Sequence, residues 1–210
     1  MDTTRRGGLS STALAMIPIA IAINIALGHL VQNVLKLPIY LDSIGTVLVG
    51  ILLGPLAGAI TGLLANIIWG VTLAPVLLPF ATVAAVIGLV AGYAGQYGAL
   101  RRWWTMALSG VLTGIIAATV SALIAAYVFG GVTGGGTDVL VATFRNMGAS
   151  LLGATFAQGA VSDPLDKLIT YMVVWVIVQA LPRRFLAQFP NARAAQEPEL
   201  EARDLSAGTR

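Results

Sequence analysis

Long apolar runs fill most of this chain, and polar residues gather in the short breaks between them. Four runs approach or exceed the roughly 20 residues that a helix needs to cross a hydrocarbon core of about 30 Å. They cover residues 13–35, 73–97, 104–129 and 165–181. Only nine charged residues lie between Leu9 and Leu181. The pattern predicts an all-α integral membrane protein in which each run forms a transmembrane helix.

The apolar stretch from Ile44 to Gly70 fits either one long helix or a hairpin of two short helices. Gly54-Pro55 lies near its middle, where proline removes a backbone donor and disfavours helix in the preceding residue. Only a hairpin places Arg5/Arg6, Arg101/Arg102 and Arg183/Arg184 on one side of the membrane. The positive-inside rule assigns that side to the cytoplasm. We therefore predict a short helix 2/helix 3 hairpin, with both termini cytoplasmic in the cell membrane.

The requirement that all three Arg pairs lie on one side of the membrane also decides residues 138–161, which are apolar but carry several polar side chains. A further crossing there would put Arg183/Arg184 on the outer side. We therefore predict an outer-side helix or a re-entrant segment after the flexible Gly130–Gly136 linker. The result is a six-helix transmembrane bundle. We assign residues 1–11 to a cytoplasmic N-terminus, 12–186 to the transmembrane substrate-binding domain and 187–210 to a disordered cytoplasmic tail.

Composition narrows the class of protein further. Hydrophobic residues make up 57% of the chain and charged residues 10%, against roughly a half and a quarter in soluble proteins. The mean hydropathy of +0.87 excludes an ordinary soluble enzyme, and the pI of about 9.6 arises from Arg pairs beside apolar spans rather than from a nucleic-acid-binding stripe. No cysteine, phosphate-binding loop, HExxH motif or Ser-His-Asp set is present. We therefore expect that the chain is not an enzyme and holds no cofactor. Any active transport would need energy from another chain.

In this topology the intramembrane polar residues cluster toward the outer side. His29, Gln32 and Asn33 share one helix face through their three- and four-residue spacing. Polar side chains in lipid are costly unless they face a bundle interior or a cavity, so the cluster predicts a polar pocket open to the outside. The rest of this set is Tyr40, Asp42, Asn66, Trp69, Thr82, Arg145, Asn146, Gln158, Asp163 and Lys167. No ionisable groups recur at successive depths, which favours a binder over a proton or ion pathway.

Several of these polar residues also have a purely structural interpretation. Asp163-Pro164 with Asp166 is typical of a helix start, with Asp163 as N-cap and Asp166 near the helix dipole. Lys167 can pair with Asp163 at i,i+4 or contact a ligand. Asp42 can likewise cap the helix that follows it.

Tyr40 and Trp69 can be interfacial aromatics instead of ligand contacts. His29 has no second ligand at metal spacing, so we predict no metal site. Arg145, next to Asn146, has the stronger functional interpretation, because a guanidinium on so apolar a segment needs an anionic or carbonyl partner.

Small residues recur at four-residue spacing and permit helices to approach closely. They are Gly50, Gly54, Gly58, Gly62, Gly88, Gly92, Gly110, Gly114, Ala118, Ala122 and Ala126, with Ala22 and Ala26 in the first run. Internal packing is the simplest interpretation of this pattern. Ala22 and Ala26 can instead lie on an outward face and contact another membrane protein.

Three segments together carry a family resemblance. Residues 37–46 read LPIYLDSIGT, residues 53–58 read LGPLAG and precede Asn66, and residues 166–170 read DKLIT before the LPRR of 181–184. They resemble the substrate-binding S components of energy-coupling-factor (ECF) vitamin transporters over residues 12–186. The resemblance implies six helices that hold a vitamin or related micronutrient near the outer surface. It also implies a coupling transmembrane subunit and two ATP-binding-cassette ATPases as partners.

The same resemblance implies two kinds of site. Members dock their coupling subunit through small residues spaced by four on helix 1, which correspond here to Ala22 and Ala26. The implied ligand contacts are Asn33, Tyr40, Asp42, Asn66, Trp69, Arg145, Asn146, Gln158 and Lys167. An available Arg and Lys would suit a small, partly aromatic ligand with an acceptor or anionic group. A ligand-sensing membrane module and a stand-alone facilitator remain the alternative functions.

Overall fold

The computed structural model describes residues 11–189 and 191–192, and helices dominate this range. The helices are α1 (Ser11–Gly28, continued by a π-helical turn at His29–Val34), α2 (Ile44–Leu53), α3 (Pro55–Thr72), α4 (Ala81–Gln96), α5 (Trp103–Tyr127), α6 (Asp138–Asn146), α7 (Leu151–Ala180) and α8 (Arg183–Leu186). Three spans, Ala15–Val34, Pro55–Thr72 and Trp103–Tyr127, are long and apolar enough to cross a membrane. The predicted all-α membrane bundle is confirmed.

A single residue, Gly54, separates α2 from α3 and forms the predicted hairpin. Its φ of +104° lies in the region that favours glycine, and Pro55 occupies the first position of α3, where a missing N–H costs nothing. With 10 residues, α2 is only about 15 Å long, half the thickness of a hydrocarbon core. The N-terminus of α2 therefore lies inside the bundle.

Hydrogen bonds from the middle of α1 hold this buried helix start. The Asn24 side chain accepts from the backbone N–H of Gly45 at 2.7 Å and donates to the Thr46 hydroxyl at 2.8 Å. Asn24 is buried, so these bonds satisfy an amide that would otherwise be costly within the membrane. The interaction fixes the depth of α2 relative to α1.

Glycine contacts bring α3 and α4 together along their length. A Cβ added to Gly88 would collide with the backbone of Gly58, and one added to Gly62 would collide with the carbonyl of Ala84. The same type of contact joins α5 to α7, where Gly114 packs on the backbone of Pro164. The predicted role of these small residues in internal packing is confirmed.

The antiparallel packing of α5 and α7 places Arg101/Arg102 and Arg183/Arg184 at one end of the bundle. Gly110 contacts Lys167, and Gly159 contacts Ala118, so the start of α5 lies beside the end of α7. We call this the arginine end, because Arg101/Arg102 and Arg183/Arg184 flank these helix termini. The opposite end, with segments 35–43, 73–80 and 128–150, is called the loop end.

Two predicted helix boundaries were wrong. Helix α4 begins at Ala81 rather than at Leu73, because residues 73–80 contain Pro75 and Pro79 and form a loop with a 3₁₀ turn. Helix α7 begins at Leu151, where the Ser150 hydroxyl accepts from the backbone N–H of Gly153.

The helix start predicted at Asp163-Pro164 therefore does not exist. Pro164 lies inside the 30-residue α7, where it frees a backbone carbonyl that packing within a bundle can tolerate. Asp163 is no N-cap, and Asp166 is not near a helix terminus. The predicted segment 138–161 divides into the separate helix α6 and the first part of α7.

The end of the described chain packs onto the arginine end of the bundle. Phe189 is fully buried, and the Asn191 side chain donates to the backbone carbonyl of Ile51 at 2.9 Å. The packed region thus extends beyond residue 186, where we predicted the domain boundary. Residues 1–10 of the predicted N-terminal segment and 193–210 of the predicted tail lie outside the described residues.

We predict that Gly88→Ala lowers the free energy of unfolding by about 1–3 kcal/mol, because the added methyl group forces α3 and α4 apart. Gly135→Ala is the matched control, since a Cβ there meets its nearest atom at an ordinary 3.6 Å. Thermal unfolding of both variants in detergent tests this. Equal stability of the two variants would contradict the packing role of Gly88.

Candidate functional site

A cavity of about 140 Å³ lies in the loop-end half of the bundle. Much of its apolar wall comes from Phe80, which directly precedes α4, and from Val83 and Ile87 on α4, and α5 and α6 add Ala117 and Val141. Its polar lining comes from the π-helical turn of α1, the segment 35–43, α3, α5, the glycine-rich segment before α6, the start of α6, and α7. These polar residues are Gln32, Asn33, Tyr40, Asp42, Ser43, Asn66, Ser121, Thr133, Thr137, Asp138, Gln158, Asp163 and Lys167.

Asp166 anchors the segment 35–43 beneath this cavity. Its carboxylate is fully buried near the middle of α7, and Oδ1 accepts from the backbone N–H groups of Tyr40 at 2.9 Å and Leu41 at 2.8 Å. Leu41 has a φ of +50°, an uncommon conformation for a residue other than glycine. Charge-assisted bonds of this kind are among the stronger ones in proteins. They hold the loop deep inside the bundle.

Lys167 completes a buried ionic cluster. Its ammonium donates to the Asp166 carboxylate and, at 2.8 Å, to the Ser43 hydroxyl, and it lies 3.8 Å from Oδ1 of Asp42. The predicted i,i+4 ion pair with Asp163 is absent from the ion pairs of the described residues. Lys167 therefore joins α7 to the start of α2, and its charge is matched by Asp166.

Asp42 belongs to the same cluster and does not cap a helix. Its Oδ2 accepts from the Gln32 side chain at 3.1 Å, while the N-cap position of α2 is occupied by Ser43 without a capping side-chain bond. Gln32 also donates to the backbone carbonyl of Tyr40 at 3.3 Å. The π-helical turn of α1 is thereby bound to the loop that forms the cavity wall.

Two buried polar groups face the cavity with unused hydrogen-bonding capacity. Asn66 is 6% exposed, and its side chain makes no hydrogen bond with any described residue. Asp163 is 4% exposed and accepts one bond, from the Ser121 hydroxyl to Oδ2 at 3.2 Å. Both side chains present hydrogen-bonding atoms to the cavity that no described residue contacts, and these atoms are available to a ligand.

The glycine-rich segment closes one side of the cavity. The Asp138 carboxylate accepts from the backbone N–H groups of Thr133 and Gly134 and from the Thr133 hydroxyl at 2.7–3.1 Å. Gly136 packs against the backbone carbonyls of Lys36 and Leu37, where any side chain would collide. The two loop segments therefore contact each other over the cavity.

The structure separates the predicted ligand contacts into two groups. Those that line the cavity are Asn33, Tyr40, Asp42, Asn66, Gln158 and Lys167. Their roles in binding stay predictions. The Gln158 amide donates to the Tyr40 hydroxyl at 3.1 Å, which leaves its oxygen free.

Trp69, Arg145 and Asn146 do not line the cavity. Trp69 is buried against Gly28, with the His29 ring edge-on at 6.4 Å. Arg145 and Asn146 are exposed, and the Arg145 guanidinium donates to the carbonyl of Ala149 at 2.8 Å. The carbonyl partner expected for Arg145 is therefore supplied by the chain itself, four residues away.

Sequence reasoning missed several cavity residues, including Ser43, Ser121 and Phe80, and it treated Asp163 and Asp166 mainly as caps. One signal was available. Asp163, Asp166 and Lys167 have three- and four-residue spacing, which places them on one face of any helix that contains all three. A continuous helix through Pro164 would have shown this face.

Comparison with known proteins gives one family. The family model described as "ECF transporter, substrate-specific component" matches residues 12–189. No curated protein and no solved structure matches the chain.

The buried pair Asp166–Lys167 yields a stability prediction. Asp166→Asn or Lys167→Met alone should lower the free energy of unfolding by about 3–5 kcal/mol, because each leaves a buried charge without its partner. The double variant should lose less than the sum of the two single losses, by about 1–3 kcal/mol.

Unfolding of the four proteins in detergent measures this coupling. Lys36→Met, which changes an exposed lysine, should stay within about 0.5 kcal/mol of the wild type. Additive losses in the double variant would show that the pair is not energetically coupled.

Proposed function

This chain belongs to the family of ECF transporter substrate-specific components, and from that premise we propose that it captures a vitamin or related micronutrient for an ATP-driven importer. The observation that supports the proposal most directly is the cavity with the unpaired amide of Asn66. The Asn66 amide offers a donor and an acceptor to a molecule in the cavity, and each hydrogen bond that it makes contributes about 0.5–1.5 kcal/mol. The apolar part of the lining supplies hydrophobic contact typical of small-molecule sites.

Energy for uptake comes, in this proposal, from other chains. The sequence contains no phosphate-binding loop, so we assign ATP hydrolysis to two ATP-binding-cassette ATPases joined through a coupling transmembrane subunit. The chain itself then acts as a binding subunit and not as an enzyme.

Charge supports a direction for capture. The Arg pairs at the arginine end support a cytoplasmic location for that end by the positive-inside rule. The cavity then lies in the outer half of the cell membrane, where the ligand enters from outside. Both termini are cytoplasmic in this arrangement.

The coupling subunit is assigned to the outward face of α1. Ala22 and Ala26 are exposed there, whereas Ala20 and Asn24 turn toward α2. Small residues at four-residue spacing let another helix approach closely within a membrane, where packing drives association. This face lies outside the contacts that hold the bundle together.

Asn66→Ala tests the binding role of the cavity. We expect the dissociation constant for the small molecule that copurifies with the wild type to rise about tenfold, because one hydrogen bond to the ligand is lost. The melting temperature without ligand should stay nearly the same, because no described residue bonds to the Asn66 side chain. Asn146→Ala, at an exposed position, should change neither quantity. Wild-type affinity in Asn66→Ala would contradict this role.

Ala22→Trp tests the docking face. We expect loss of copurification with the coupling subunit and an uptake rate at least about tenfold lower, because the large ring blocks close helix approach. Ligand affinity of the isolated protein should not change. Ala160→Trp, an equal substitution on the exposed face of α7, should preserve uptake. Uptake that continues without any partner would instead favour a facilitator.

A further inference from the structure

We infer that the cavity takes a positively charged organic ligand about the size of one ring, with its cationic group at Asp163. The inference rests on the proposed function and names the chemical class of its substrate. It follows from the charges, the unused acceptors and the volume of the cavity, taken in turn.

The described residues in and beneath the cavity carry more negative than positive formal charge. Asp42, Asp163 and Asp166 stand against a single cation, Lys167, whose ammonium is bonded to Asp166 and lies 3.8 Å from Oδ1 of Asp42. Asp138 adds a fourth carboxylate at the side of the cavity, where backbone N–H groups bind it. Buried charges are costly unless they are paired, so Asp163, which has no ion-pair partner among the described residues, favours a ligand that brings positive charge.

The hydrogen-bonding groups left free point to the same kind of ligand. Asp163 accepts a single bond, through Oδ2, and no described residue donates to its Oδ1. The Gln158 oxygen is also free, because its amide nitrogen is the atom that faces Tyr40. These groups accept hydrogen bonds and would match an ammonium or a protonated ring N–H. Asn66, on α3, can additionally donate to a ring nitrogen or oxygen of the ligand.

Volume limits the size of the ligand. The cavity of about 140 Å³ is close to an engineered apolar cavity of about 150 Å³ that binds benzene. Phe80, Val83 and Ile87 give it an apolar wall suited to one face of a ring. A single ring that carries a basic group therefore fits the space, the wall and the charge.

This assignment reverses the ligand charge expected from sequence. An acceptor or anionic ligand was predicted because Arg145 and Lys167 were both counted as available. In the structure Arg145 lies outside the cavity and bonds to Ala149, and Lys167 is already paired. The remaining groups on the cavity surface favour a cation.

Three one-ring probes of different charge test the inference on the full chain in detergent. Benzylamine is cationic at neutral pH, benzyl alcohol is its neutral counterpart, and benzoate is an anion. We expect thermal-shift titration to give at least about tenfold tighter binding of benzylamine than of the other two probes. Asp163→Asn should weaken benzylamine binding at least about tenfold and leave benzyl alcohol binding within about twofold.

Several results would overturn the inference. One is that the wild type binds benzyl alcohol or benzoate as tightly as benzylamine. Another is that Asp163→Asn weakens the binding of benzylamine and of benzyl alcohol equally. If Asp163→Asn does not fold, or if no probe binds, the molecule released from wild-type protein purified from its own membranes decides. A net positive charge of that molecule at neutral pH supports the inference, and a neutral or anionic molecule refutes it.

Failure of this inference differs from failure of the proposed function. A neutral molecule that is imported through the coupling subunit would remove only the inferred charge class. A cation that binds without any coupled uptake would retain the charge class and remove the role in an importer.

Discussion

The buried carboxylate of Asp166 is the interaction on which this structure depends. Because α2 crosses only half of the bundle, the chain before it must descend among the helices, where its backbone N–H groups need partners from the protein. Asp166 accepts two of these backbone N–H groups and also pairs with Lys167, which binds Ser43 at the start of α2. A charged pair in the middle of a membrane helix is thus a structural device here. It holds the loop that forms the cavity wall.

The tightly packed apolar core and the cavity lie at opposite ends of the bundle axis. Toward the arginine end, Ile51, Leu52, Tyr171 and Phe189 are fully buried in one apolar core. Glycine contacts between α3 and α4 close the space between these helices. Toward the loop end the short α2 gives way to a loop, and the volume that a full-length helix would fill is left as the cavity. The shortness of one helix therefore creates the site.

The sequence predicted the helix bundle well, because the signals for a bundle are either local motifs or properties summed over the whole chain. Apolar run length gave the spans, Gly54-Pro55 gave the hairpin, and the Arg pairs gave the parity that chose between topologies. The cavity chemistry was harder, because the partners of Asp166 lie 125 and 126 residues away, beyond any local rule. Asp163-Pro164 misled for the opposite reason. It follows the local rule for a helix start, while packing against Gly114 keeps the helix continuous.

Helix α1 contacts both regions to which we assign a function. Its buried face binds the start of α2 through Asn24, its π-helical turn binds Asp42 and the Tyr40 carbonyl through Gln32, and its exposed face carries Ala22 and Ala26. Single-turn π-helical distortions occur frequently at functional sites, because they redirect side chains within a continuous helix. Here the distortion lies between the proposed docking face and the cavity. A partner on α1 would therefore bind the same helix that holds the cavity loop. This helix alone connects the proposed docking face with the cavity.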